Sequence, residues 1–404
     1  MDPKQFTDKA LGRLIRVGKG EGAYWAFVPN PLPPEIGADW ELTNILAEAK
    51  GALSELAGLG RIIPNPNLLI NPFVRREAVL SSKIEGTLTQ IEHLYAYEAG
   101  QLEIPGFGPS PPEPDVREVV NYVNAMKYGL NRLKDFPFVK RFVRELHEKL
   151  MEDVRGGDVS KTPGEFRRSP NWIGTPGDTP SRATYVPPPV DEMEKTLDDF
   201  ERYLNLKDDR YPDLIKLSLI HYQFEAIHPF LDGNGRIGRL LITLLIVKWD
   251  LLPQPLLYLS AYFEKHREEY YRHLMCVSTH GAWREWLIFF LKGVSEQSKD
   301  AISRAKALQD LQTYWREHCR QQYQSNLILD IVDLFFLSPL WTVSEIAKYL
   351  HKTYMGIKMN IQKLIEEEFL KEITGKSYGK LFLSPKVLQI ITQEFPNPLV
   401  NDPG

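Results

Sequence analysis

Apolar residues recur at three- and four-residue steps along most of this chain, and this helical spacing constrains its fold more than any other feature. In Thr43 to Ala57 (TNILAEAKGALSELA) the repeat gathers the apolar side chains on one helix face. The same spacing predicts helices over 73–100, from the valines before Asn121 to about 155, over 191–206, 211–227 and 237–250, and several more within 263–318. We therefore expect a mainly α fold.

Prolines and glycines mark the breaks between these helices. Residues 105–114 (PGFGPSPPEP) hold five prolines in ten positions, which predicts a linker or an ordered surface loop. Between 156 and 190, turn sequences such as Thr162-Pro163-Gly164 precede a short extended stretch, Ala183 to Val186 (ATYV). This pattern predicts two or three short strands, which one hairpin would accommodate.

The C-terminal part of the chain has a pattern of its own. Helical spacing over 327–337, 342–350 and 354–369 is followed over 370–384 by a strand, a glycine-containing turn and a strand. Three helices and a hairpin in this order are typical of a winged helix. With 404 residues to divide, the prediction is an N-terminal helical region (1–105), a core (106–305) and a winged-helix-like domain (325–404).

Composition excludes several classes of protein. The 49 Lys and Arg against 53 Asp and Glu give a net charge of −4, which does not favour a general polyanion binder. Cys276 and Cys319 are too few for a disulfide framework and fit a reducing cytoplasm. The longest apolar run, Leu240 to Val247, is far shorter than the roughly 18 residues of a membrane span. The first ten residues also lack a signal-peptide pattern, so we expect a cytoplasmic protein without a membrane partner.

One segment, His228 to Arg239 (HPFLDGNGRIGR), combines a tight glycine-rich turn with the start of a helix. A helix is predicted to end near His228, where a proline follows, and a new helix begins near Ile237. Successive backbone N–H groups of Gly233 to Gly235, at that helix N-terminus, would form a concavity that binds anions. The backbone alone therefore indicates a phosphate site.

The side chains of the same segment suit attack of a hydroxyl on a nucleotide phosphate. Arg236 and Arg239 offer guanidinium groups to phosphate oxygens, and Asp232 is an oxygen ligand for Mg²⁺. His228 is the group here that can take a proton from a hydroxyl near neutral pH. The alternative is a corner between two helices with arginines in surface ion pairs. The combination of all these positions in twelve residues favours the phosphate site.

The segment resembles the signature of the Fic family, H-x-F-x-D/E-G-N-G-R-x-x-R, with every position filled. The resemblance implies a helical core with a small β-hairpin, the flap, and transfer of AMP from Mg-ATP to a protein hydroxyl with release of pyrophosphate. It makes His228 the general base, Phe230 an anchor of the loop and Asp232 the Mg²⁺ ligand. Gly235 favours this reaction over that of the Doc-type kinases, which carry Lys there. Nucleotide-binding roles are implied for Gly233, Asn234, Gly235, Arg236, Gly238, Arg239, Tyr271 and Ser278.

Three further stretches resemble parts of that family. Residues 164–174 (GEFRRSPNWIG) and 182–189 (RATYVPPP) resemble the flap and its approach, whose edge would bind a target peptide as an added strand. From composition alone, a plain surface turn is the alternative. Residues 263–274 (FEKHREEYYRHL) resemble the region that closes the adenine pocket, with Tyr271 against the base and Ser278 nearby. The implied target-docking residues are Thr184, Tyr185 and Val186.

Ser81 to Gly86 (SSKIEG) fits the inhibitory pattern of the same family, S/T-x-x-x-E-G/N. Ser81 and Glu85 are four apart and share one helix face. The resemblance implies an N-terminal inhibitory helix from which Glu85 pairs with Arg239, occupies the γ-phosphate position and leaves ATP in a pose unfit for attack. Alone, so loose a pattern also fits a solvated helix face. Because some family members use this glutamate to remove AMP, Glu85 could also serve reversal.

The predicted function is thus a protein adenylyltransferase that modifies a target protein and itself, with ATP as co-substrate and Mg²⁺. The alternatives are a Fic enzyme that uses UMP or phosphocholine or removes AMP, and a nucleotide-sensing regulator that binds DNA. Residues 341–404 hold eight lysines, no arginine and seven acidic residues, which is a weak footprint for DNA. For this C-terminal domain, protein binding or dimerisation is therefore at least as well supported as DNA binding, and the whole protein could be a homodimer. Candidates for major-groove contact on the third helix are Lys352, Lys358, Asn360, Gln362 and Lys363.

Overall fold

The computed structural model describes residues 1–37, 39–63, 65–101, 109–154, 162–175, 177–206, 210–375 and 379–393. They form a mainly helical protein with small antiparallel sheets, which confirms the predicted fold class. The helices are α1 (Trp40–Ile62), α2 (Asn67–Ile84), α3 (Ile91–Glu98), α4 (Glu113–Arg132), α5 (Lys140–Leu150), α6 (Val190–Asn205), α7 (Asp213–Ile227), α8 (Asn234–Lys248), α9 (Ser260–Lys265), α10 (Arg267–His280), α11 (Trp283–Gln322), α12 (Asn326–Leu337), α13 (Val343–Leu350), α14 (Tyr354–Glu366) and α15 (Pro385–Thr392). The strands are β1 (Gly12–Val17), β2 (Tyr24–Pro29), β3 (Leu340–Thr342), β4 (Lys371–Glu372) and β5 (Leu381–Leu383).

Helices α7 and α8 form the centre of the core because they are apolar on nearly all sides. Almost every side chain of α7 is buried, and Ile237 to Ile246 of α8 are buried without a break. A helix with this composition is stable only when other elements surround it. The two helices pack on each other, α7 also on α6 and α10, and α8 also on α4 and α5. This packing fixes both ends of the segment 228–233 that joins them.

Two segments that were each predicted as one helix are two helices in the structure. The predicted helix 73–100 is interrupted after α2, where Gly86 adopts a left-handed φ of +98° and turns the chain toward α3. The helix predicted to run to about 155 is divided into α4 and α5 by residues 133–139. In both places the apolar spacing continues across the break, because both helices of each pair contribute to the same core.

The prediction of two or three short strands between 156 and 190 is wrong for the described part of this segment. In the described parts of this segment, 162–175 and 177–190, the chain forms turns and a single antiparallel bridge between Ile173 and Tyr185. Proline lacks the N–H that a strand ladder requires, and this segment is rich in proline. Residues 155–161 and 176, the first four residues of the predicted linker or loop 105–114, the turn at 376–378 and the residues from 394 onward lie outside the described residues.

A β-hairpin near the N-terminus, which the helical spacing did not indicate, packs against residues 182–189, which we call the flap segment. Strands β1 and β2 pair antiparallel from Gly12 opposite Pro29 to Val17 opposite Tyr24. The N–H of Phe27 donates to the carbonyl of Val186 at 2.9 Å. Ala26, Phe27, Ala183, Tyr185 and Val186 form a small core separate from the main one. The hairpin therefore covers one side of the flap segment.

The C-terminal elements follow the predicted order, with one further strand, β3, and one further helix, α15. The sheet order is β3-β5-β4, all antiparallel. Thr342 begins α13 with a capping box, in which its hydroxyl and the Glu345 carboxylate each accept a backbone N–H. The winged-helix assignment itself and the domain boundaries stay predictions. Among the described residues, no helix combines the length and the apolar composition needed to cross a membrane.

Candidate active site

The loop between α7 and α8 is held in one conformation by its own residues. His228 ends α7 with a left-handed backbone (φ +49°), and its N–H donates to the carbonyl of Phe224. The Asn234 side chain closes the loop, because its Oδ1 accepts the Phe230 N–H at 2.8 Å and its Nδ2 donates to the Phe230 carbonyl at 2.9 Å. Gly233 has a φ of +78°, which favours glycine at the start of α8.

Phe230 anchors the loop, as the family resemblance implied, and it does so against a residue that the sequence did not indicate. The Phe230 ring is fully buried and stacks on the ring of His147 at 3.7 Å between centroids. His147 Nδ1 accepts the N–H of Gly164, so its Nε2–H donates to the carbonyl of Asp232 at 3.0 Å. Burial lowers the pKa of His147 to about 4, which keeps the ring neutral. His147 thus fixes the loop from α5.

His228 is oriented as a base. Its Nδ1–H donates to the carbonyl of Glu225 at 3.3 Å, which leaves Nε2 with its lone pair available on the side of the cleft. Burial, with a smaller contribution from Arg167, lowers the pKa of His228 to about 4, so the imidazole is neutral near pH 7. Arg167 also positions the loop: its Nε donates to the His228 carbonyl at 3.0 Å and its Nη2 to the Pro188 carbonyl at 2.6 Å.

Arg236 and Asp232 form an ion pair at the side of the loop. Arg236 is buried and donates to Glu118 Oε2 at 3.0 Å and to Asp232 Oδ1 at 3.4 Å. Asp232 Oδ1 also accepts the N–H of Gly233 at 2.6 Å. The Asp232 side chain is 36% exposed, so a cation can reach its carboxylate. A single accessible carboxylate fits Mg²⁺ that takes its other ligands from phosphates and water.

The Arg239 guanidinium is hydrogen-bonded to Ser81 of α2 and to Glu85, the residue that directly follows this helix. Its Nε donates to Ser81 Oγ at 2.9 Å, and its Nη2 donates to the Ser81 carbonyl at 2.9 Å and to Glu85 Oε1 at 2.6 Å. Burial acts to lower the pKa of Arg239, but the carboxylate of Glu85 overcomes this effect and keeps the pKa above its usual value. A Cβ on Gly235 would collide with Glu85 Oε1, so only glycine leaves room for that carboxylate.

These residues meet in one cleft of about 620 Å³. Glu85, Gly235 and Arg239 lie at the same cleft as His228, and the predicted adenine residues also line it. Several other predicted residues do not line the cleft in this state: Ser81, Gly86, Val186, Asp232, Gly233, Asn234, Arg236 and Gly238. Ser81, Asn234 and Arg236 act from behind it, through the hydrogen bonds described above.

The two residues expected at the adenine end have different surroundings. Tyr271 is 42% exposed, and the Arg267 guanidinium lies 5.8 Å from the centre of its ring. The Ser278 hydroxyl is already engaged, because it bonds to the Tyr222 hydroxyl at 2.8 Å and contacts the Leu274 carbonyl at 3.4 Å. Tyr271 is therefore the group that a purine ring can stack on, whereas Ser278 fixes Tyr222 in the wall of the cleft.

Glu225 is a further cleft residue that the sequence did not indicate. Its Oε1 is buried and has no hydrogen-bond partner among the described residues. A Cβ on Gly238 would collide with that oxygen, so the glycine makes room for the carboxyl group. Burial raises the pKa of Glu225 to about 8, while Arg239 acts in the opposite direction. Glu225 lies one turn before His228 on α7, but nothing in its local sequence marks it as different from a solvated glutamate.

At the flap, the backbone of the expected docking residues 184–186 has neighbours on both sides, and residues 172–174 form the outer edge. The N–H of Ile173 donates to the Tyr185 carbonyl at 2.8 Å, and the N–H of Tyr185 donates to the Ile173 carbonyl at 3.1 Å. On the other side, the Phe27 N–H of β2 donates to the Val186 carbonyl. Tyr185 and Val186 are buried between these neighbours, and Thr184 is exposed at the cleft. Since alternate residues of an extended chain point their polar groups in opposite directions, Trp172 and Gly174 face away from Tyr185.

The fold and the site together define a helical core with a histidine at the end of α7 and, on α8, a buried arginine that is paired with a glutamate. Residues 43–131 match the Fic/DOC family N-terminal model and residues 137–246 match the Fic/DOC family model. Over residues 43–246 the chain belongs to the Fic/DOC family.

Similar proteins agree with this assignment. The chain is 29% identical over 185 residues to a protein adenylyltransferase Fic of Aedes aegypti, covering 45% of this chain and 32% of that protein. It is 26% identical over 188 residues to one of Drosophila ananassae, covering 45% of this chain and 33% of that protein. The match thus spans about a third of the length of these curated relatives. A Fic family protein of Desulfovibrio desulfuricans shares the fold, with a TM-score of 0.55, 18% identity, and coverage of 87% of this chain and 98% of that chain.

Proposed function

We propose that this protein transfers AMP from Mg-ATP to a Ser, Thr or Tyr hydroxyl of a target protein and of itself, and that Glu85 keeps this activity low. One observation carries the proposal: a histidine with an available Nε2 and an arginine paired with a glutamate line the same cleft. The curated relatives that match this chain are named protein adenylyltransferase Fic, which supports ATP as the donor.

The chemistry follows from the positions of the side chains. The target hydroxyl gives its proton to His228 Nε2, and its oxygen forms a bond to the α-phosphorus. The bond between that phosphorus and the oxygen bridging to the β-phosphate breaks, and pyrophosphate leaves with the electron pair. Backbone N–H groups at the start of α8 hold the phosphates. When bound, Mg²⁺ would be held by Asp232 and the phosphate oxygens and would reduce their negative charge.

Glu85 inhibits by taking the place of a phosphate. Its carboxylate lies 2.6 Å from Arg239 and directly over Gly235, where the end of a triphosphate would have to lie. Two anionic groups cannot share one guanidinium in a partly closed cleft without repulsion. ATP then binds only with its phosphates displaced from the orientation that attack requires. A change that withdraws Glu85 allows the productive pose.

The target chain would bind along Trp172 to Gly174 rather than along Tyr185 and Val186. The backbone of the latter pair is used by Ile173 and by β2, whereas the outer edge at Trp172 and Gly174 faces away from these partners. An added strand would take the Trp172 N–H, which now donates to Asn171 Oδ1 at 2.8 Å, and the exposed Trp172 and Ile173 side chains provide apolar contacts. The two free cysteines, one half-buried and one buried, fit a reducing cytoplasm as the location.

A labelling experiment with purified protein and Mg²⁺ tests the reaction. ATP labelled at the α-phosphate and ATP labelled at the γ-phosphate are compared, and His228→Ala is the matched control. Label from the α position that appears on protein and is lost in His228→Ala supports AMP transfer. Label from the γ position would show a kinase, and label that persists in His228→Ala would exclude the histidine as the base.

A further inference from the structure

The C-terminal part of the chain exposes large apolar side chains on two neighbouring helices. Tyr349 lies near the end of α13, and the others lie on the first two turns of α14; their exposed fractions are 57% for Tyr349, 52% for Tyr354, 61% for Met355 and 59% for Met359. We call this surface, with the turn 351–353 between the helices, the α13–α14 face. Isolated exposed apolar residues are common, but four on adjoining turns form a patch of the kind found at interaction sites.

The exposure is a consequence of the helix register. On α14 the core side is formed by Ile357, Ile361 and Leu364, and on α13 by Val343 and Ile346, all of them buried. Met355 and Met359 are one turn apart on the outer side of α14. Thr353 fixes the start of that helix, because its hydroxyl accepts the Gly356 N–H at 3.2 Å. The apolar side chains are thus presented by a rigid element.

The charge of this face has one sign. Residues 346–363 contain four lysines, one histidine and no Asp or Glu, in a chain whose net charge is −4. Lys348, Lys352 and Lys358 are exposed and form no ion pair within the described residues. The nearest carboxylate in the sequence, Glu345, is used in the capping box of α13. An acidic partner would therefore find, on the same two helices and the turn between them, three exposed lysines that form no ion pair among the described residues.

The same geometry argues against nucleic acid as the occupant. Asn360 is buried and its Nδ2 donates to the Gly356 carbonyl at 2.8 Å, so it cannot contact a base. The Lys363 ammonium lies 4.9 Å from the centre of the Tyr323 ring. Base edges are recognised mainly by Arg, Asn, Gln and Lys, whereas Met and Tyr are enriched in protein interfaces. Two of the five residues predicted for DNA contact are thus turned away from the α13–α14 face.

We propose that the α13–α14 face binds an acidic amphipathic segment of a partner protein. Apolar side chains of the segment contact Met355, Met359 and the two tyrosines. Its carboxylates lie near Lys348, Lys352 and Lys358, which fix the orientation and speed the encounter. Methionine suits this role because its flexible thioether adapts to different apolar side chains.

The experiment is a selection with random displayed peptides of about 15 residues, roughly four helical turns, on the full immobilised chain. The variant Met355→Glu/Met359→Glu removes the apolar centre and reverses its charge preference, while Trp40→Glu changes another exposed residue, on α1, as the matched control. Thermal unfolding checks that each variant is folded. Binding of one selected peptide and of a random duplex DNA is then measured for each protein at two salt concentrations, and sedimentation measures its self-association.

We expect enriched peptides with net negative charge and apolar residues at positions i and i+4. Their affinity should fall by about 30-fold or more in the Met355→Glu/Met359→Glu variant, as for a central interface contact, and stay unchanged in Trp40→Glu. The proposal is overturned if no acidic family is enriched, or if the selected peptides bind the double variant equally well. It is also overturned if the double variant loses duplex DNA binding or self-association instead of peptide binding.

Discussion

Glu85 Oε1 and Arg239 Nη2 lie 2.6 Å apart, at the point where the first two turns of α8 meet the end of α2. The contact depends on Gly235, because any side chain there would occupy the position of the carboxylate. It also depends on Ser81, whose hydroxyl and carbonyl take two further N–H groups of the same guanidinium. The arginine is therefore positioned by Ser81 and by Glu85, the residue to which we assign the inhibition.

The Ser81 hydroxyl should contribute measurably to the stability of this arrangement. Ser81→Ala leaves the buried Nε–H of Arg239 without its partner, so we expect the free energy of unfolding to fall by about 1–3 kcal/mol. Urea unfolding measures this loss. Ser82→Ala is the matched control, since Ser82 is equally buried but its hydroxyl has no hydrogen-bond partner among the described residues. Equal losses in the two variants would contradict the role given to Ser81.

Phe230 should fix the loop through its packing. Phe230→Ala removes a fully buried ring that stacks on His147, and we expect a loss of about 3–5 kcal/mol in the free energy of unfolding. AMP transfer should fall with it, because the backbone of the loop loses its anchor. Phe230→Leu keeps most of the buried volume and should cost less. A loss below about 1 kcal/mol in Phe230→Ala would show that the ring is not the anchor.

Glu225 should make stability depend on pH in a defined direction. Its carboxyl has a pKa of about 8 in the folded protein against an ordinary value of 4.5, so the folded state retains a proton that the unfolded state releases between these values. The contribution of this carboxyl to stability is thus complete below about pH 4.5 and is lost as the pH rises toward 8. Glu225→Gln cannot ionise. The melting temperature of Glu225→Gln minus that of the wild type should increase from pH 5 to pH 8, and a difference that stays constant or decreases would refute the assignment.

Much of the architecture follows from the sequence because helical spacing is a local property. Thr43 to Ala57 lies within α1, and the predicted ends of α6, α7 and α8 agree with the structure within a few residues. The break after α2 was missed because the apolar spacing continues through Gly86. Its left-handed backbone ends the helix through local hydrogen bonds, from the Gly86 N–H to the Lys83 carbonyl and from the Thr87 N–H to the Ser82 carbonyl. The strands near Ala183 were wrong, since the prolines beside them leave room for only one bridge.

The site was predictable where its residues are adjacent and was missed where packing brings distant residues together. His228, Gly235 and Arg239 are close in sequence, and Glu85 is recognisable by its four-residue spacing from Ser81. His147 and Arg167 bond to the loop from elsewhere in the chain, and no local pattern distinguishes them from other polar residues. The hydrogen bond from β2 to Val186 of the flap was missed because β2 was not predicted at all.

The rate of label transfer from the α-phosphate of ATP to protein, in the wild type and in Glu85→Gly, tests the account most directly. The lost charge-assisted hydrogen bond corresponds to about 1.5–3 kcal/mol, so Glu85→Gly should label itself about 10- to 100-fold faster. His228→Ala in the same background should abolish the labelling. Equal rates in the wild type and Glu85→Gly, with both proteins folded and labelled, would show that the contact between Glu85 and Arg239 does not restrain the enzyme.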